Sequence, residues 1–257
     1  LSGEKAGLDK DEVLVRSTDG QETYFLKDIT YQLTKLEDRR FDTAITIVGP
    51  DHHGQEQRLL AALSLLGHDG FVPLWTQTVR LTKDGQEYKM SKRRGNYIVL
   101  DEFLDMVPSQ TARFFFAMRD TNSHFDLDLD LVASQNKHNP LFYVMYSYVR
   151  ASSVLAKFGE VSEPTKVVLD VEQKQILRSF IEISELITQA TVTQQVHSVL
   201  HRMIEIARYF HDWYEKNPVL KEESEELRMA RAYFVEKYRD SLASLFELIG
   251  IEPQERM

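Results

Sequence analysis

The chain has 257 residues, no cysteine, 42% hydrophobic and 28% charged residues, and a formal net charge of −9. That length holds one large domain or two moderate ones, and the lack of cysteine excludes a disulfide framework or a thiolate zinc site. No apolar run is long enough to span a bilayer and no secretory signal precedes the first charges, which reads as a cytoplasmic chain with no membrane partner. The negative balance argues against indiscriminate nucleic-acid binding, yet it permits a local basic surface that meets RNA selectively.

Residues 1–11 are aperiodic and read as a loose end of the kind a truncation creates. Residues 13–16 predict a short strand, and Thr18-Asp19-Gly20-Gln21 a turn. Thr23 predicts the N-cap of a helix to about Glu37, buried through Phe25, Ile29, Leu33 and Leu36. On it Tyr24 and Asp28 stand one turn apart. A ring beside a carboxylate can hold a planar cation, the carboxylate paired with a guanidinium and the ring against its flat face. A half-buried tyrosine beside a surface aspartate is the commoner meaning of that spacing. Residues 44–48 are apolar and largely β-branched, bounded by Gly49-Pro50, and predict a buried parallel strand. Asp51-His52-His53-Gly54 follows at its carboxyl end, where open α/β sheets place ligands. From Gln55 a helix is expected, with Leu59, Leu60, Leu63 and Leu66 inward and Gly67 as its stop. Adjacent histidines diverge and no cysteine is at hand, which counts against a metal at His52 and His53. Helix capping and ligand contact both stay open for them.

Residues 74–81 predict a strand, Lys83-Asp84-Gly85-Gln86 a hairpin turn, since Asp-Gly tolerates positive φ, and residues 86–90 the return strand. Then comes Lys89-Met90-Ser91-Lys92-Arg93-Arg94-Gly95-Asn96, four cations within six residues and then a breaker. Asp101 is placed to cap a helix from Glu102. Dense positive charge on a loop between hairpin and helix suits a polyphosphate, because lysine is a mobile point charge. A solvated basic loop is the ordinary alternative.

Residues 102–119 predict a helix broken near Pro108, with Phe114, Phe115 and Phe116 in the core. Leu127, Leu129 and Leu131 alternate with Asp128 and Asp130 as in a strand, but the longer span 126–137 favours the start of a helix. Asn139-Pro140 predicts an N-cap with proline at the first helical position. Helices are expected at 140–158, 171–190, 194–216 and 224–249, which makes a bundle. The border between the two domains, 1–120 and 121–257, is drawn near Asp120. The helix after Pro140 is rich in rings, and Tyr143, Tyr146 and Arg150 share one face. A bundle core would bury such rings, whereas an RNA-binding helix exposes one for base stacking beside an arginine.

Several blocks stand in a fixed order: residues 23–35, residues 48–54, Lys-Met-Ser-Lys at 89–92, Met145-Tyr146-Ser147-Tyr148-Val149-Arg150, and residues 250–257. Together they resemble the arginyl-tRNA synthetases of the bacterial type, which are class I aminoacyl-tRNA synthetases. The resemblance implies a mixed fold, α/β plus all-α. It consists of the C-terminal half of a Rossmann-type catalytic domain followed by an α-helical-bundle anticodon-binding domain. It implies ATP-dependent ligation of arginine to its tRNA through arginyl-adenylate, with Mg2+ accompanying ATP and no structural metal held by the protein. The implied partners are tRNA(Arg), L-arginine and ATP, and the implied state is a monomer.

By the same resemblance Lys89 and Lys92 are catalytic. Lys89, Met90, Ser91, Lys92 and His52 meet ATP, and Tyr24, Asp28, Asp51 and His53 meet arginine. Tyr146, Arg150 and Met257 meet tRNA, while Phe142 is assigned to the core. The family's His-Ile-Gly-His-like element and N-terminal tRNA-contacting domain have no counterpart in this sequence. The chain is therefore expected to be a C-terminal part that is inactive alone. The alternative is a non-catalytic tRNA-binding module derived from a synthetase.

Overall fold

The computed structural model describes residues 1–12, 14, 19–88 and 99–256, the side chains of His52 and His53 excepted. Most of the predicted strand at 13–16 lies outside the described residues, as do Lys89, Met90, Ser91, Lys92 and Met257. The chain folds as two compact units. One is Leu1–Val79 with Thr121–Phe125, and the other is Arg80–Asp120 with Asp126–Met257.

In the first unit the opening residues are not a loose end. They form a short helix, α1 (Gly3–Ala6). The terminal ammonium donates to the Glu12 carbonyl at 3.0 Å, and the Gly3 N–H donates to Asp11 Oδ1 at 2.7 Å. Local hydrogen bonding supplies the order that the aperiodic sequence hides. Thr23 caps α2 (Tyr24–Leu33), its Oγ1 accepting the Leu26 N–H at 3.3 Å. The helix continues into a π-helical turn, Thr34–Asp38.

Strands β1 (Ala44–Val48) and β2 (Phe71–Trp75) pair in parallel, Ala44 opposite Phe71 and Val48 opposite Trp75. A parallel pair needs a long crossover, and α3 (His53–Leu65) occupies it. Phe25 and Ile29 of α2 meet Leu59, Ala62 and Leu63 of α3 and Phe71 of β2 in one small core. Burial of each such large side chain contributes about 1.5–3 kcal/mol. Three expectations change here. β1 is parallel but not buried on both faces, since Ile45 is 50% and Ile47 68% exposed. Alternation along the strand sends both isoleucines to one uncovered face. Helix α3 starts at His53 rather than Gln55, and Leu66 lies beyond its end and is exposed.

The predicted strand at 74–81 is two strands. After β2 the Thr76 N–H donates to the Val48 carbonyl and the Gln77 N–H to the Thr121 carbonyl, both at 2.9 Å, and this interrupts the run. β3 (Val79–Lys83) then pairs antiparallel with the short β4 (Gln86–Glu87), Lys83 opposite Gln86. Asp84 and Gly85 have φ of 51° and 71°, the two positive values that a tight hairpin turn requires. α4 (Leu100–Met106) starts ahead of the predicted position. Val99 is its N-cap and Asp101 lies in its first turn.

α5 (Ser109–Ala117) follows Pro108, burying Phe114 and Phe115 but leaving Phe116 40% exposed. Three consecutive positions on a helix sweep too wide an arc for all to face inward. At residues 125–133 strand and helix both occur. β5 (Phe125–Asp128) joins a sheet of order β4-β3-β5. Asp128 then caps α6 (Leu129–Ala133), its Oδ1 accepting the N–H groups of Asp130 and Leu131.

The predicted bundle follows. Asn139 Oδ1 accepts the Phe142 N–H at 3.2 Å and starts α7 (Pro140–Phe158). After it come α8 (Val171–Thr193), α9 (His197–Lys216) and α10 (Glu225–Leu248), the last capped by Ser224. Val144, Ile176, Leu200, Met203, Phe210, Trp213, Tyr238 and Phe246 are fully buried among them. The Phe210 and Tyr238 rings stack 3.8 Å apart. Among the described residues no helix is long and apolar enough to cross a membrane.

Candidate functional site

In the first unit, the cap at Thr23 fixes where α2 begins and hence where Tyr24 and Asp28 project. The Tyr24 side chain is 84% exposed and borders a shallow depression of about 280 Å³, lined also by Gln21, Glu22, Thr23 and Lys27. Asp28 is half-buried. Its Oδ2 accepts a 2.6 Å hydrogen bond from Nε2 of Gln55, which stands in the first turn of α3. Among the described residues Oδ1 of Asp28 accepts no bond. A carboxylate oriented by an amide through one oxygen, with the other available, is prepared to accept from a cationic ligand. Gln55 carried no sequence signal, because it meets Asp28 only through the packing of α2 against α3. Asp51 is exposed in the 3-10 turn Pro50–His52, just past the carboxyl end of β1. No His/Cys/Asp/Glu group fit to hold a metal ion occurs among the described residues.

In the second unit, α7 and α9 form a denser constellation. Arg150 reaches back one turn, and its Nη2 donates to the Tyr146 hydroxyl at 3.1 Å. Its guanidinium carbon lies 4.7 Å from the Tyr146 ring centroid and 5.3 Å from that of Tyr214. Its Nη1 donates to Nδ1 of His211 at 3.0 Å. His211 Nε2 in turn faces the Tyr143 carbonyl at 3.4 Å. The imidazole is 6% exposed and stacks on Tyr146, centroids 5.5 Å apart.

Burial holds the His211 pKa below the ordinary histidine value, the Tyr143 carbonyl opposes that shift, and the Arg150 charge adds to it. Burial likewise raises the Tyr143 phenol, with the Asp212 charge contributing. A concavity of about 280 Å³ lies over these groups, lined also by Lys137, Phe142, Asp212 and Glu215.

The structure therefore brings Tyr146 and Arg150 together as the sequence suggested, and Tyr146 is 41% exposed. It corrects Phe142. That ring is only half-buried and lies nearly parallel to Tyr146 at 6.3 Å, on the wall of the concavity. His211 and Tyr214 were invisible to sequence reasoning because they sit on α9, and only bundle packing places them beside α7. Aromatic faces around a cation, with two carboxylates nearby, suit a flat, polar-edged ligand that can stack.

Residues 144–257 match the DALR anticodon binding domain. An arginine–tRNA ligase of Symbiobacterium thermophilum is 40% identical over 98% of this chain, which spans 46% of that protein. The chain thus spans about half the length of the curated relatives it matches. A Campylobacter jejuni crystal structure assigned to the arginyl-tRNA synthetases superposes with a TM-score of 0.88 at 27% identity. The match covers 100% of this chain and 57% of that one. The Thermus thermophilus arginyl-tRNA synthetase shares the fold, with a TM-score of 0.81 at 21% identity over 98% of this chain and 52% of that one. Over nearly its whole length the chain is similar to the arginyl-tRNA synthetases, and residues 144–257 match an anticodon-binding domain.

Proposed function

We propose that this chain supplies three parts of an arginine–tRNA ligase: an arginine-contacting face, a triphosphate-neutralising loop and an anticodon-contacting helix. The observation that carries the reading is the Tyr146–Arg150 pair, an exposed ring clamped to a half-buried arginine on α7 inside residues 144–257, which match an anticodon-binding domain. In this reading Tyr146 stacks against an unpaired base of tRNA(Arg), Arg150 contacts its edge or a flanking phosphate, and Met257 adds a contact. By role, we draw the border between the parts near Asp120, although the compact units divide the chain otherwise, grouping Arg80–Asp120 with Asp126–Met257.

The chemistry has two steps. A carboxylate oxygen of arginine attacks the α-phosphorus of ATP, and pyrophosphate leaves with arginyl-adenylate formed. A ribose hydroxyl of tRNA then attacks the arginyl carbonyl, and AMP leaves. Neither step needs a covalent enzyme intermediate, so positioning and charge neutralisation carry the catalysis. Lys89 and Lys92 neutralise the triphosphate with Met90 and Ser91 beside them, His52 meets ATP, and Mg2+ arrives with its phosphates. Tyr24 packs on the substrate guanidinium, Asp28 accepts from it, and Asp51 and His53 border the same substrate. We place this function in the cytoplasm, in a monomer.

The test is arginine binding by calorimetry. Asp28→Ala is expected to weaken it about tenfold or more, because charge-assisted bonds to the guanidinium are lost. An unchanged dissociation constant removes the guanidinium assignment.

A further inference from the structure

We propose that His211 is a positioning residue that aims the Arg150 guanidinium across the Tyr146 ring toward a bound RNA base. The inference rests on the reading of Tyr146 and Arg150 as RNA contacts, and it adds a residue from a different helix to that site.

The proton arrangement is forced. Arginine has only donors, so the contact between its Nη1 and Nδ1 of His211 requires Nδ1 to accept. The imidazole proton must then sit on Nε2, which is the nitrogen that faces the Tyr143 carbonyl. One relay results. Nε2–H donates to the α7 backbone, Nδ1 accepts from Arg150, and Arg150 donates onward to the Tyr146 hydroxyl. A protonated His211 would turn an N–H toward the guanidinium and break the relay. The charged groups around the ring are Arg150 on α7 and Asp212 and Glu215 on α9, with the Tyr143 phenol beside them. The burial that holds His211 neutral is thus in keeping with its acceptor role.

The charge of Arg150 stays available. Among the described residues it has no carboxylate at ion-pair distance, and two of its N–H groups are engaged, both with neutral acceptors. Arg202, Arg231 and Arg239 of the bundle each pair with a carboxylate. Arg150 is instead set between the Tyr146 and Tyr214 rings and held in direction by an imidazole, which leaves the rest of its fork for a ligand. Lys137 and Arg150 are balanced by Asp212 and Glu215 around the concavity. Such a balance gives little attraction for a run of phosphates and favours one stacked base whose edge offers both donors and acceptors. Fixing the guanidinium beforehand reduces the side-chain freedom lost on binding.

The probe is a labelled RNA hairpin carrying the anticodon-arm sequence of an arginine tRNA, titrated into the full chain. Arg150→Ala is expected to weaken binding about tenfold. His211→Gln, whose amide falls near the Nε2 position and cannot reach Arg150, is expected to weaken it severalfold. His211→Asn, whose amide oxygen falls near the Nδ1 position, is expected to retain most of the affinity. Arg150→Ala combined with His211→Gln should bind no more weakly than Arg150→Ala alone, since the two act as a unit. Thermal melting of each variant reports folding, and the Asn/Gln contrast reads positioning between two amides of similar packing. Equal affinity of His211→Gln and wild type, or losses that multiply in the double variant, would overturn the role of His211 and leave the RNA reading intact. Undiminished binding by Arg150→Ala would overturn both.

Discussion

His211 is a buried histidine that donates to a carbonyl on one side and accepts from a guanidinium on the other; burial first and then the Arg150 charge favour its neutral form, and the Tyr143 carbonyl opposes them. Its pKa in the folded state lies below the ordinary value of 6.5. The unfolded chain therefore takes up a proton there before the folded chain does, and the unfolded state binds more protons in that window. The stability linked to this group is complete above about pH 6.5 and is lost as pH falls from that value through the folded pKa. Melting curves at about pH 7.5 and about pH 5 should show a larger acid-induced drop for wild type than for His211→Asn, which has nothing to titrate at that place. Equal drops would mean that another group carries the acid sensitivity. Phe142 makes the same point about single residues. As a ring at the start of an apolar helix it reads as core, yet it lines the concavity beside Tyr146, because its direction depends on where α9 packs.

At the scale of elements, Asp170 does more than cap. Its Oδ1 accepts the Gln173 N–H at 2.7 Å while the Gln173 side chain accepts the Asp170 N–H at 3.0 Å, a capping box at the start of α8. Its Oδ2 accepts the indole N–H of the fully buried Trp213 on α9 at 3.0 Å. One carboxylate thus sets where α8 begins and fastens that end to α9. Asp170→Ala should cost about 2 kcal/mol, roughly 1 for the cap and the remainder for a buried indole N–H left unpaired. Asp170→Asn, which keeps an acceptor for the cap, should cost less. Urea unfolding followed by tryptophan fluorescence measures both, and an Asp170→Ala midpoint equal to wild type would contradict the double role. Helix starts were legible in the sequence where a short polar side chain and the following turn suffice, as at Thr23, Asn139 and Ser224. β1 was legible as a strand but not in its burial. The alternation of Ile45 and Ile47 shows that they share a face and does not show what, if anything, covers it.

For the whole molecule, the chain spans 46% of the Symbiobacterium relative and has no His-Ile-Gly-His-like element in its 257 residues. We expect these residues alone to give no arginine-dependent exchange of pyrophosphate into ATP, while still binding the anticodon-arm hairpin. Exchange at the rate of a full-length relative would refute this division of labour. Binding without exchange is also what a tRNA-binding module derived from a synthetase would give. Adding the polypeptide that corresponds to the remainder of a relative separates the two, since a split enzyme would regain exchange and a module would not.

The sequence by itself determined the local matters: the caps of α2 and α7, the Asp84-Gly85 turn, the bundle of long helices, and the blocks that resemble a synthetase family. Each depends on residues within a few positions of one another, where hydrogen bonding and side-chain period leave few choices. Tertiary structure alone decided that Gln55 meets Asp28, that His211 and Tyr214 meet Arg150, and that Asp170 meets Trp213. These partners lie 27 to 64 residues apart in the chain, by the differences of those numbers. They meet because apolar faces bury against one another, and that force fixes which helices touch without being written in the polar residues it brings together.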